Sequence, residues 1–297
     1  MDAFDTNDMS LKEKGKFFQN RRNYEINTDG YILVHIDGRS FSKMVKNKFN
    51  KPFDESFIEM MNQTAEYLCE NVQACHLAYV QSDEITLLLK KNNPDGDVFF
   101  GGRLCKMQSI IASLATAKFN QLMTIYNLTN NNYFFTKEDT ADTLYDIVDA
   151  VDAINTMPLY QFDCKVWDVI TANDAMAWFL FRNIDCIRNS KQQAAQAYLS
   201  HKELIGLHTD DQIELLLERT GIDWNNYNDG EKFGRLVYKV EEEFETEIKG
   251  EIVKYTRNKF RANYGFDLTN AENRDKLRTI CPILKTEDNE YRYFNQR

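Results

Sequence analysis

An α+β fold, built on a split βαβ antiparallel sheet with helices on one face, is predicted by three observations in the first 170 residues. Apolar, β-rich runs recur at 31–36, 77–80 and 85–89. Helix-period segments lie between and after them. A further strand pattern, Phe162-Asp163-Cys164-Lys165-Val166-Trp167, closes the set. The order β-α-ββ-α-β resembles the ferredoxin-like layer.

Each element has its own signal. A short polar arm precedes residues 17–25, which read as a helix or an ordered lead-in. Tyr31-Ile32-Leu33-Val34-His35-Ile36 reads as a buried strand, closed by Asp37-Gly38, a common turn pair. Across 54–71, Phe57, Met60, Met61, Thr64, Ala65 and Leu68 recur at helical spacing and predict a core-facing helix. Leu77-Ala78-Tyr79-Val80 and the run 85–89 flank Ser82-Asp83-Glu84, which suits a hairpin connection. After the turn-rich 92–96, Leu104, Met107, Ile110, Ile111, Leu114 and Ala115 mark a second helix on the sheet, through about residue 122.

The acidic insertion near 125–156 carries an apolar stripe of Leu144, Ile147, Val148 and Val151 with Asp146, Asp149 and Asp152 off it. Without EF-type Gly and Glu spacing it reads as an accessory amphipathic helix, not a calcium loop. Residues 171–240 are expected to be mostly helical, with Asn173 and Thr209 as caps and a late strand at 234–238. Residues 241–297 read as a charged extension, helical and then aromatic. The chain therefore divides into 1–170, 171–240 and 241–297.

With 297 residues, 43% hydrophobic and 28% charged, the chain has the composition of a globular protein with a substantial core. No apolar stretch reaches membrane-spanning length, and the N-terminus has no secretory pattern. Six scattered cysteines without a C-x-x-C pair suit reduced thiols and a cytoplasmic location. A net charge of −10 argues against nonspecific nucleic-acid binding, but leaves room for a local basic groove.

The chemistry-bearing residues are Asp37 and Asp83. If their strands are neighbours, the two carboxylates meet at one sheet edge, where both stay ionised only beside a cation. Magnesium suits such a place, because it takes oxygen ligands and shares its sphere with substrate phosphates. The pattern points to nucleotidyl transfer. Arg103 and Lys106, one turn apart, either grip a polyphosphate together or are exposed first-turn bases.

In order along the chain, Ile36-Asp37-Gly38-Arg39-x-Phe41, Lys51-Pro52-x-Asp54, Gln81-Ser82-Asp83-Glu84, Arg103-x-x-Lys106, Phe162-Asp163-x-Lys165 and Arg182-x-x-Asp185-Cys186-x-x-Asn189 resemble the motifs of the tRNA-histidine guanylyltransferase family. The resemblance covers roughly 20–240 outside the insertion. It implies a palm-like catalytic domain that extends RNA at its 5′ end: a nucleoside triphosphate activates that end, and the 3′-hydroxyl of an incoming nucleotide attacks it.

On matching positions, the resemblance implies that Asp37, Asp83 and the Gly38 carbonyl hold two magnesium ions, with Glu84 supporting the region. It implies nucleotide contacts from Arg39, Ser40, Phe41 and Ser42, whose backbone amides would cradle a triphosphate, and from Lys51 and Ser82. Arg103, Lys106 and Lys165 would approach a second triphosphate or the RNA 5′ end. ATP, GTP or other nucleoside triphosphates are the implied substrates, tRNA the implied partner, and a dimer of dimers the implied assembly.

The stretch 187–193, Ile-Arg-Asn-Ser-Lys-Gln-Gln, departs from the His-Ile-Asn-Asn-Leu-Tyr-Asn of the histidine-specific enzymes. Together with Ala195-Gln196, Ser200-His201-Lys202-Glu203-Leu204 and Gly221-Ile222-x-Trp224-Asn225, it looks like the bacterial-type guanylyltransferase-like proteins, which implies templated repair of 5′-truncated tRNA. Arg182, Arg188, Asn189, His201 and Lys202 are the expected RNA contacts. G addition to histidine tRNA, a nucleotide cyclase or dinucleotide synthase, and a noncatalytic RNA-binding scaffold are the alternatives.

Overall fold

Alternation along the first strand sends Ile32, Val34 and Ile36 into one apolar layer and Tyr31 and Leu33 into another. A strand buried on both faces belongs at the centre of a sheet. In the computed structural model, which describes residues 8–20, 24–130, 151–152, 154–248 and 251–285, that is its place. Strand β1 (Tyr31–Gly38) lies between β3 (Glu84–Leu89) and β4 (Phe162–Val169). With β2 (Cys75–Gln81), β5 (Arg235–Ile248) and β6 (Glu251–Tyr264), the order is β4-β1-β3-β2-β5-β6, antiparallel throughout.

The first four strands make the expected split βαβ layer. Among the described residues, α1 (Leu11–Asn20) leads in, and α2 (Phe41–Lys48) follows β1 directly. Helix α3 (Glu55–Asn71) is N-capped by Asp54, which accepts the Phe57 amide. Helix α4 (Leu104–Asn130) runs well beyond the end expected near residue 122. Met60, Met61, Ala65 and Leu68 of α3, with Met107, Ile111, Ala115 and Phe119 of α4, pack on the Ile32–Val34–Ile36 side. Residues 131–150 of the acidic insertion, including most of its apolar stripe, lie outside the described residues.

Helices were expected on one face only, but much of the second face is covered as well. Helix α5 (Ala172–Tyr198) lays Ala175, Met176 and Phe179 over Tyr31, Leu33, Tyr79 and Leu88. Its buried Asn183 donates to the carbonyls of Phe233 and Phe266 and accepts the Leu268 amide, fixing the chain after β6 to the same layer. What stays outside this apolar cluster is the end where β1, β3 and β4 present Asp37, Glu84, Asp163 and Lys165.

Two expected caps shift. Helix α5 is capped by Thr171, which accepts the Asp174 amide while the Asp174 carboxylate accepts back from Thr171, so Asn173 is already inside. Thr209 begins α7 (Thr209–Thr220), with His208 at the cap. Between them, α6 (His201–Leu204) opens on a Ser200–Glu203 capping box, and α8 (Asp229–Phe233) precedes β5.

Beyond residue 241 the expected charged helix is instead the distal part of the β5–β6 hairpin. Cross-strand pairing overrides the helical preference of its glutamates. Phe244 stacks on Tyr255 with centroids 5.7 Å apart, Lys254 meets Glu245 at 2.8 Å, and Arg261 meets Glu242 at 2.6 Å. Helix α9 (Ala271–Ile280) then packs Leu277 into the second layer.

Phe41 shows how the start of α2 is fixed. Its ring is buried among Phe119, Phe162 and Tyr160, with centroids 5.0, 4.8 and 5.8 Å away. Phe41→Ala is expected to lower stability by about 3–5 kcal/mol, read as a lower midpoint in urea unfolding.

Candidate active site

Strand register builds the site. The β1–β3 ladder sets Asp37 opposite Glu84, and the β1–β4 ladder sets it opposite Asp163. The Gly38 amide donates to the Asp83 carbonyl at 3.1 Å, so Asp83 sits in the β2–β3 turn directly beside the end of β1. Two non-glycine residues here hold left-handed backbone, Ser40 at φ 60° and Ser82 at φ 44°. Such conformations cost of order 1–3 kcal/mol each and cluster at functional sites.

The electrostatics match the crowding. Burial, more than any other cause, pushes the Asp83 carboxyl up to about 6; Asp37 and Glu84 add to this, while hydrogen bonds from its own amide and from Ser82 oppose it. Asp37 is also raised, first by burial and then by Glu84 and Asp163, with Lys165 opposing. Glu84 is treated differently. It accepts from Gln81 Nε2 at 2.6 Å and is paired with the Arg182 guanidinium. Arg182 in turn binds Asp185 at 2.8 Å, and its guanidinium lies beside the Phe181 and Trp178 rings, 5.5 and 6.0 Å from their centroids.

Arg182 was expected at an RNA surface. It is 8% exposed and serves as the internal counter-ion of Glu84, because a buried guanidinium needs carboxylates around it. Among the described residues, Asp37 and Asp83 have no such ion-pair partner. No group of three or more His, Cys, Asp or Glu side chains among them forms a ready-made cage.

Ser82 and Asp83 form one wall of a cleft of about 260 Å³. Ser42 and Lys46 of α2, Lys51, and Gln193 and Gln196 of α5 complete it. Because Ser40 makes no side-chain cap, the first turn of α2 reaches the cleft without the usual hydroxyl acceptor for its amides. The Arg39 side chain leaves the cleft for Gln161, bonding Oε1 at 2.9 Å, and the Phe41 ring is in the core. The Arg39 amide, expected in a triphosphate cradle, is also engaged: it donates to the Gln161 carbonyl at 2.8 Å, because residue 39 continues the pairing with the chain before β4.

Past Val45, Pro52, Ser82 and Gln193 the cleft narrows into a recess. Asp54, Gln81, Asn189, Ser190 and Arg235 line it. Two of these are buried yet keep a hydrogen-bonding atom without a protein partner: Gln81 Oε1, an acceptor, and Arg235 Nη2, a donor. Asn189, expected as an RNA contact, belongs to this recess.

Arg103 and Lys106 are not brought to the carboxylates. Helix α4 starts after the far end of β3, so both lie at the opposite end of the sheet, where the Arg103 backbone pairs with that of Glu25 in a single β-bridge and Lys106 lies over Phe100. The length of β1, eight residues or roughly 25 Å at strand rise, separates the two ends. That distance removes them as co-ligands of a triphosphate at Asp37 and Asp83 within one chain. Lys165 is exposed on the sheet face two residues from Asp163. Arg188 is half exposed and pairs with Asp185 at 2.6 Å, while His201 and Lys202 stand exposed at the start of α6.

Sequence reasoning missed Gln193 and Gln196 at the cleft and Gln81 and Arg235 in the recess. A signal existed for the first two: Asp185, Asn189, Gln193 and Gln196 form one polar stripe at helical spacing. None existed for Arg235, which reaches the site through a strand far along the chain. No helix among the described residues is long and apolar enough to cross a membrane.

The Thg1 family model, described as tRNAHis guanylyltransferase, matches residues 12–169. The chain is 28% identical over 237 residues to the uncharacterized protein R259 of Acanthamoeba polyphaga mimivirus, with 77% of each covered. It is 27% identical over 253 residues to a tRNA(His) guanylyltransferase of Kluyveromyces lactis, covering 80% of this chain and 92% of the relative. Its fold superposes on a bacterial tRNA(His) guanylyltransferase-like protein in complex with ATP at a TM-score of 0.71 and 23% identity, over 93% of this chain and 99% of the other. The complex of such a bacterial protein with GTP gives 0.64 at 22% identity, over the same shares. The matched segment contains Asp37, Lys51, Asp83 and the whole split βαβ layer, and it spans more than half of the 297 residues; the chain belongs to the tRNAHis guanylyltransferase family of nucleotidyltransferases.

Proposed function

We propose that this protein is a magnesium-dependent 3′–5′ nucleotidyltransferase that adds nucleotides to the 5′ end of tRNA or tRNA-like RNA, in templated repair of 5′-truncated molecules. One observation carries the reading: the Asp37 and Asp83 carboxylates, both raised by burial and neighbouring acids and without an ion-pair partner among the described residues, lie at one sheet edge, where Asp83 lines a cleft with the first turn of α2, Lys46 and Lys51. An anionic ligand that brings its own cations satisfies both halves of that arrangement.

The donor set fits magnesium, since it consists of oxygens alone: the Asp37 and Asp83 carboxylates and the Gly38 carbonyl. When bound, the ions supply Lewis-acid activation of the attacking hydroxyl and charge compensation for the departing pyrophosphate. The remaining work falls to the chain itself. Lys46 and Lys51, with the amides at the start of α2, hold the triphosphate. The recess receives the nucleoside, where Gln81 Oε1 and Arg235 Nη2 provide hydrogen bonding that no protein group uses. Arg182 holds Glu84 and with it the turn that carries Asp83.

The substitution of Ile187 to Gln193 for the histidine-specific stretch supports repair over obligate G addition. The relatives named for tRNA(His) and the ATP and GTP complexes of similar folds support the tRNA and nucleotide parts of the reading. A cytoplasmic dimer of dimers completes it.

The test is a 5′-extension assay on tRNA transcripts lacking one 5′ nucleotide, with the base opposite the gap varied. Incorporation that follows the template is expected; a cyclic product from nucleoside triphosphate alone, with no extension, would overturn the reading. Asp37→Asn and Asp83→Asn are each expected to lower incorporation at least about a thousandfold, with the circular-dichroism spectrum retained. Lys51→Ala should raise KM for the nucleoside triphosphate about tenfold or more while RNA affinity, measured by filter binding, stays within about twofold.

The pH dependence has a definite sign. Asp83 has a higher pKa folded, about 6, than in an unfolded chain, about 3.9. Its contribution to stability is therefore full below pH about 4 and is lost as pH rises through about 6. Without divalent cations, the thermal midpoint relative to Asp83→Asn should fall between pH 5 and 7, by an amount equivalent to about 1–2 kcal/mol. Millimolar magnesium should reverse the fall, with a gain that grows with pH.

A further inference from the structure

Helix α5 covers the second face of the sheet incompletely. Its residues Trp178, Phe181, Arg182, Asp185 and Arg188 follow one stripe along the flank that faces β1 and β4, where Lys165 and Trp167 lie. The stripe runs toward the carboxylates, since Arg182 already touches Glu84. Its chemistry is unusual for a helix flank beside charged residues. Phe181 is 52% exposed, and Ile184 next to it is 48% exposed.

The Phe181 ring is held from behind. It packs on the Trp178 indole with centroids 5.7 Å apart, and Trp178 is wedged edge-on against Trp167 at 4.6 Å and His35 at 5.7 Å. The Arg182 guanidinium, fixed by Glu84 and Asp185, lies 5.5 Å from the Phe181 centroid. A ring so braced loses little freedom when a second flat group lies on its outer side. Two cations lie on the neighbouring surface: Arg188, two turns further along the same helix stripe and paired with Asp185, and Lys165, two positions before Trp167 on β4 and without an ion pair among the described residues. An exposed aromatic face near cations, on the approach to a phosphate-chemistry site, fits a single-stranded nucleic acid better than an apolar protein surface.

We propose that the outer face of Phe181, backed by Trp178 and the Arg182 guanidinium, is a stacking platform for an unpaired nucleobase of the RNA acceptor near its reacting end, with Lys165 and Arg188 beside the adjoining phosphates. This inference rests on the reading of the protein as an RNA nucleotidyltransferase and assigns where that RNA lies. The platform is distinct from the recess proposed for the nucleoside, to which α5 contributes Cys186, Asn189, Ser190 and Gln193 and none of the stripe residues. It discriminates weakly between bases, because every base has a π-face, and so suits a template-directed enzyme.

The test compares the full-length protein with Phe181→Ala and Phe181→Trp. Fluorescence anisotropy with a labelled tRNA transcript lacking its 5′ nucleotide should show a Kd raised about 5- to 150-fold in Phe181→Ala, the range for loss of one stacked base. Phe181→Trp should restore binding to within about threefold of the parent, since the larger ring stacks as well. ATP affinity and the unfolding midpoint should stay with the parent in both, and RNA should quench tryptophan emission in the parent but less in Phe181→Ala. Parent-like RNA affinity in Phe181→Ala overturns the proposal. A lower assembly mass in Phe181→Ala by analytical ultracentrifugation, with RNA affinity unchanged, overturns it in favour of a subunit interface. If the parent protein itself neither binds nor extends the transcript, the proposed function fails first and the platform falls with it.

Discussion

Everything at the working end of this molecule follows from hydrogen-bond register. The β1–β3 ladder fixes Asp37 opposite Glu84, and the Gly38 amide to the Asp83 carbonyl closes the last rung. Shifting that ladder by one residue would turn Asp37 to the opposite layer, among phenylalanines. Because Ile32, Val34 and Ile36 are wholly buried on that side, the slip is energetically closed. The hydrophobic core thus holds two like charges together, a configuration they would not adopt unaided.

Compensation is divided unevenly among the acids. Glu84 is neutralised inside the protein by Arg182, which ties the β2–β3 turn to α5, whereas Asp37 and Asp83 have no ion-pair partner among the described residues. The same helix supplies Asn183 to the carbonyls of Phe233 and Phe266 and Gln193 to the cleft. One long helix therefore contacts both Glu84, beside the carboxylates, and the residues after β6.

Much of this was legible in the sequence. Period-two and period-3.6 patterns located the sheet layer and the carboxylates, because core burial writes directly into those periods. The structure does bring Asp37, Asp83, Lys51, Ser42 and Ser82 to one end. Three things were hidden, each for a physical reason. The burial of Arg182 depends on Glu84, nearly a hundred residues away, and no local pattern encodes that pairing. The strand after residue 241 reads as helix because its glutamates favour helices, and only cross-strand partners such as Lys254 and Tyr255 reverse the choice. Arg103 and Lys106 looked like site residues by motif, yet the sense in which α4 runs sends them away.

That last placement carries a geometric consequence. The basic pair at the head of α4 and the acidic pair at the tip of β1 are poles of one rigid layer, with the full run of a central strand between them. A mononucleotide is too short to touch both. Any solute that bridges the poles of a single chain has to reach across roughly 25 Å, the length of that strand.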